Sequence, residues 1–90
     1  MERKTSWKII LDPRCDKDSN KLANVGLRDK AEALKTVLME NPFSNPPAYE
    51  KLTGYANRYS RRIDVKHRLV YEVDKKEKII KILSMWSHYE

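Results

Sequence analysis

An α+β fold, with two helices laid on an antiparallel sheet, is what this 90-residue sequence predicts. Three observations carry that reading. Apolar residues recur at helical spacing from Leu27 to Leu38, and the run stops at Pro42. After Asn57, β-patterned stretches follow one another, separated by short polar turns. One short apolar run, "WKIIL", precedes the helices, so the element order is β-α-α-β-β-β.

The first strand spans residues 7–11 and is closed by Asp12-Pro13. Residues 14–41 read as two helices, or one kinked helix, packed as a hairpin. In the first part, Leu22, Ala23 and Val25 lead up to Gly26; in the second, Leu27, Ala31, Leu34 and Leu38 share a face while Arg28, Lys30, Glu32 and Lys35 lie on others. Residues 44–57 form a loop around Pro46-Pro47 and Gly54, with a short strand near Tyr49–Leu52.

Strands 58–64 and 67–73 are joined by a tight turn at Val65-Lys66. A second turn at 74–78 exposes Lys75, Lys76 and Lys78 as a solvated tip, and strand 79–86 ends the sheet. Alternation puts His67, Leu69, Tyr71 and Val73 on one face of their strand. In the last strand Ile79, Leu83 and Met85 oppose Ile80, Ile82 and Trp86. A strand apolar on both faces belongs inside the sheet, so the residues following it emerge from an anchored element.

The chain reads as a single domain over residues 1–90, without repeats or low-complexity tracts. No run approaches the ~20 apolar residues of a membrane span, and "MERKTSW" lacks the apolar core of a secretion signal, so a cytoplasmic protein without membrane attachment is expected. The lone Cys15 has no partner for a disulfide and reads as an incidental thiol. No His/Cys/Asp/Glu group has metal-ligand spacing, and two glycines cannot make a phosphate-binding glycine loop. Neither a metal nor a cofactor is expected.

Nineteen basic residues against thirteen acidic give a net charge of +6. Between Glu50 and Arg68 stand Lys51, Arg58, Arg61, Arg62, Lys66 and Arg68 against only Glu50 and Asp64. Arginine predominates there, and its planar fork suits phosphate, so a nucleic acid is the favoured partner over a plain solvated face.

Metal-free RNA cleavage needs a base for the ribose 2′-OH, an acid for the departing 5′-oxygen and a cation for the charge gathering on phosphorus. Among the candidates, His88 suits the acid or the base, Glu50 is a weaker base, and Arg61, Arg62 or Arg68 could supply the cation. Each has a bland alternative: an ordinary terminal histidine, a surface ion pair, a surface charge. His67 reads as structural, at the mouth of a hairpin, and Trp86 as packed. On residues alone, a small basic binding domain stands ahead of a nuclease.

The blocks "EKL", "YSRRI", "HRLVY" and the terminal "HY" resemble, in order and spacing, the YoeB group of the RelE superfamily, the toxins of YefM–YoeB toxin–antitoxin pairs. The resemblance is specific over residues 50–89 and less distinctive over 1–49. It implies a RelE-like α+β fold and an mRNA interferase that enters the A site of the 70S ribosome, cuts the mRNA there and stops translation.

Carried onto this sequence, the resemblance makes Glu50 the general base and His88 the general acid. Arg68 is the transition-state cation supported by Arg62, and Tyr89 orients the RNA. Lys51, Arg58 and Arg61 join Arg62 as phosphate-binding residues. It also implies a YefM-type antitoxin that folds on docking, and a homodimer. This sequence differs from the family pattern in a shorter stretch between Glu50 and Arg61 and in Glu90 after the His-Tyr pair. Two other functions stay open: a ParE-like gyrase inhibitor of the same fold, and a basic RNA- or ribosome-binding module without activity.

Overall fold

The apolar run at the start of the chain forms β1 (Lys8–Leu11) in the computed structural model, which describes residues 7–45 and 48–86. Asp12 turns the chain out of it. Its carboxylate accepts the Arg14 N–H at 3.0 Å and its carbonyl the Cys15 N–H at 2.8 Å. The first turn of α1 (Cys15–Asn24) starts there. Helix α1 ends in a Schellman arrangement: the Gly26 N–H donates to the Ala23 carbonyl and the Leu27 N–H to that of Leu22. Gly26 takes the left-handed φ of +75° that this closure needs.

The chain then re-enters helix as α2 (Arg28–Glu40), which buries Ala31, Leu34 and Leu38 on the predicted face. The helices are therefore two, as a hairpin, and the kinked single helix is excluded.

Four more strands follow: β2 (Tyr49–Lys51), β3 (Arg58–Arg62), β4 (Arg68–Asp74) and β5 (Ile79–Ser84). They form one five-stranded sheet in the order β1-β5-β4-β3-β2. Pairings from β2 through β5 are antiparallel, whereas β1 runs parallel to β5, with Lys8 opposite Ile79. The sheet is mixed where the sequence suggested a purely antiparallel one; a four-residue apolar run carries no signal for the direction of its partner. As expected, β5 is interior, flanked by β1 and β4.

Alternation in β4 is as read: Leu69, Tyr71 and Val73 are buried and the residues between them are not. In β5 the expected faces break down. Ile80, Ile82 and Met85 are all buried. Neighbouring Val70 and Tyr71 of β4 pair with Ser84 and Ile82, so Leu83 is an extra residue in β5. This bulge shifts the period by one and returns Met85 to the core.

Two turns are stapled by aspartates. Asp64 accepts from the N–H groups of Lys66 and His67, and Asp74 from those of Lys76 and Glu77. The lysine tip is only partly a free surface: the Lys75 ammonium lies 5.4 Å from the Phe43 ring centroid and that of Lys78 5.5 Å from Trp7.

The core joins Leu22 and Leu38 of the helices to Leu69, Tyr71, Ile80 and Ile82 of the sheet, all fully buried. Arg61 is there too, only 1% exposed. It donates to the Tyr71 hydroxyl at 3.2 Å and to the Pro42 carbonyl at 2.8 Å, and the Tyr71 hydroxyl donates to that same carbonyl at 3.0 Å. The Arg61 guanidinium also faces the Tyr49 ring at 5.1 Å. Phe43, Tyr49, Tyr59 and Tyr71 complete an aromatic cluster with centroids 5.4–6.0 Å apart. This arginine ties the loop after α2, and with it β2, to the sheet.

Candidate active site

Strand register determines which charged side chains meet. Glu50 of β2 pairs with Ser60 of β3, Ser60 with Val70 of β4, and Val70 with Ser84 of β5, a row across four strands. On the same face Arg62 stands opposite Arg68, and Arg58 opposite Glu72. Residues at odd positions of β3, Tyr59 and Arg61, turn to the helices instead.

Along that row the Arg68 guanidinium donates through Nη1 to the Glu50 carboxylate at 3.0 Å and to the buried Ser60 hydroxyl at 3.2 Å. The Glu50 side chain is 67% exposed and that of Arg68 22%. A pair this open adds little stability, but it leaves a carboxylate and a guanidinium side by side and accessible.

Glu50 stands between two concavities. A groove of about 740 Å³ lies on one side, walled by Arg14 just before α1, by Asp18 of α1, by Lys51 and the loop residues Leu52, Thr53 and Tyr55, and by Trp86. A smaller cleft of about 300 Å³ on the other side is lined by Glu50, Ser60, Arg62 and Arg68. The larger volume is that of a site for a small ligand or a nucleotide. Along it Arg58 is held by Glu72 at 3.2 Å and lies 4.4 Å from the Tyr55 ring centroid, and the Lys51 ammonium donates to the Tyr55 carbonyl at 3.1 Å.

The structure thus brings together Glu50, Arg68, Arg62, Lys51 and Arg58. It does not bring in Arg61: buried against Tyr71 and Pro42 on the opposite face, that guanidinium cannot reach a phosphate in either concavity, and its expected binding role is corrected to a structural one. His88 and Tyr89 lie outside the described residues. His67 is structural, as read. Its Nδ1 lies 2.9 Å from the Asp64 carboxylate and its ring 4.4 Å from that of Trp86. The His67 contact holds the Asp64 carboxyl below its usual range.

Sequence reasoning missed Ser60, Tyr55, Arg14 and Asp18. Ser60 was within reach, since it falls between Arg58 and Arg62 at strand period. Arg14 precedes α1 by one residue and Asp18 lies four positions on, but nothing in the sequence says that the start of this helix borders a groove. Among the described residues no cluster of His, Cys, Asp or Glu could hold a metal ion, and no helix is long and apolar enough to cross a membrane.

Comparison with known proteins gives a consistent set. Residues 17–89 match the family model of the YoeB-like toxin of bacterial type II toxin–antitoxin systems. No curated protein matches by sequence. Among solved structures, a YoeB/ParE toxin from Agrobacterium tumefaciens is similar with a TM-score of 0.80 at 25% identity, over 91% of this chain and 99% of that one. The YoeB dimer from Staphylococcus aureus is similar with a TM-score of 0.76 at 30% identity, over 94% of this chain and all of the other. A heterotetrameric YoeB–YefM toxin–antitoxin complex from the same organism gives 0.74 at 30%, with the same coverage.

Proposed function

The chain belongs to the YoeB-like toxins of bacterial type II toxin–antitoxin systems, and on that premise we propose that it is a ribosome-dependent mRNA endonuclease. The observation that carries the proposal is the contact of Arg68 with Glu50 in the smaller cleft, beside the groove that Glu50 also borders. A base for the 2′-OH and a cation for the phosphate are needed within one nucleotide of each other, and this pair meets that need.

Glu50 takes the proton of the ribose 2′-OH, whose oxygen attacks the adjacent phosphorus. Arg68, supported by Arg62, stabilises the charge on the phosphoryl oxygens. The bond from phosphorus to the 5′-oxygen breaks, and His88 delivers a proton to that oxygen. The products are a 2′,3′-cyclic phosphate and a free 5′-hydroxyl. Tyr89 packs against base or ribose, and Lys51 and Arg58 hold neighbouring phosphates.

Chain length supports a role for the tail. Trp86 borders the same groove as Glu50, and His88 follows it by two residues, a reach of up to ~7 Å. In the cell the toxin acts in the cytoplasm on A-site mRNA of the 70S ribosome. It forms a homodimer and is held inactive by a YefM-type antitoxin, the arrangements named for the Staphylococcus aureus structures.

The test is primer extension on translating ribosomes with wild type, Glu50→Ala and His88→Ala. Cuts at the A-site codon that vanish in both variants support the nuclease. Growth arrest with intact mRNA and damaged DNA supports gyrase poisoning by a ParE-like toxin instead.

A further inference from the structure

Helix α1 buries one carboxylate. Asp18 sits between Cys15 and Leu22 on the core face, with 8% of its surface exposed. A carboxylate so placed must be compensated by a hydrogen bond, and its Oδ2 accepts the Met85 N–H at 2.9 Å. That N–H needs it: the β4–β5 ladder ends at the pair Val70–Ser84, and β1 has already turned away at Asp12. The next residue is fixed from two sides, since the Trp86 ring lies 4.4 Å from that of His67 and 5.6 Å from the Lys21 ammonium. Lys21 is one turn along α1 from Asp18. Asp18 and Trp86 also wall the groove that Glu50 borders.

We propose that Asp18 is a positioning residue for cleavage: by accepting the Met85 N–H, its buried carboxylate sets the direction in which the chain leaves β5, three residues ahead of the proposed acid His88. The inference rests on the proposed nuclease function.

Single-turnover cleavage of programmed ribosomes tests it, with Asp18→Ala, Asp18→Asn and His88→Ala beside wild type. Asp18→Ala is expected to slow the cleavage step about 10- to 100-fold while the ribosome concentration at half-saturation stays unchanged. Asp18→Asn, whose amide oxygen still accepts, restores most of the rate. If Asp18→Ala does not fold, Asp18→Leu carries the same expectation.

Wild-type cleavage by a folded Asp18→Ala or Asp18→Leu beside an inactive His88→Ala overturns the positioning role alone. So does a loss confined to ribosome affinity, or an Asp18→Asn as slow as the alanine variant. Wild-type cleavage by His88→Ala removes His88 from the mechanism and overturns this inference, whereas intact mRNA with the wild-type protein overturns the functional reading.

Discussion

Arg68 and Glu50 come from strands that are not neighbours, yet their side chains meet at 3.0 Å because Arg68 reaches over the small Ser60 of the strand between them. A larger residue at position 60 would fill the space the guanidinium crosses. The contact keeps base and cation in one concavity.

The first prediction follows from that contact. Glu50→Gln keeps the shape and removes the base, and cleavage should fall roughly 10²–10⁴-fold with ribosome affinity retained. Arg68→Lys keeps the charge but loses the planar fork and the reach to Ser60 and Glu50 together, so it should recover little of the activity lost in Arg68→Ala. Single-turnover rates at saturating ribosome separate these effects.

Neighbouring arginines 61 and 62 should behave oppositely. Arg61→Ala removes the buried guanidinium's hydrogen bonds to the Tyr71 hydroxyl and the Pro42 carbonyl, leaves a cavity behind, and should cost about 2–4 kcal/mol in urea unfolding. Arg62→Ala should leave the unfolding midpoint unchanged and weaken binding to ribosomes, with a smaller salt dependence. Equal stability of the two variants would show the buried arginine to be dispensable.

The pair also shows what the sequence could and could not tell. "RYSRRID" reads as a strand, and its period of two places residues 61 and 62 on opposite faces. Basic charge suggested that both look outward, because a buried arginine without an obvious partner is rare. The partners, Tyr71 and the Pro42 carbonyl, are ten and nineteen positions away. The helical hairpin and the β4 faces were legible because each rests on local periodicity. The parallel pairing of β1, the bulge at Leu83 and the groove wall from α1 were not, because each depends on which distant element lies alongside. Glu50 and Arg68 could be paired only through the family resemblance, since their meeting requires the register of three strands.

Gly26 should tolerate little. At φ +75° a side chain meets no neighbouring atom within 4 Å, so any cost is backbone strain. Gly26→Ala is expected to destabilise by about 1 kcal/mol, and Gly26→Asn by less, because asparagine visits the left-handed region more readily. Chemical unfolding of the three proteins measures both.

Cys15 provides a test of the core through pH. Burial pushes its thiol up from 9.0 to about 11, with the nearby Asp18 carboxylate adding to the rise. The thiol donates to the Ile82 carbonyl at 3.4 Å. Below pH 9 the thiol is protonated in both folded and unfolded chains and contributes no pH dependence. Between pH 9 and about 11 the unfolded chain loses the proton and the folded one keeps it, so stability falls as pH rises through this window. Burial also raises the Tyr71 hydroxyl, which adds a slope of the same sign at its upper end. Cys15→Ala should therefore flatten the decline that begins at pH 9 and leave the part that tyrosine contributes. Urea midpoints of wild type and Cys15→Ala from pH 7 to 11 give the comparison. At pH 8 the native thiol should resist alkylation by iodoacetamide and react once the chain is unfolded. A rapid native reaction would mean that α1 lifts from β5, which would also release the Met85 tether.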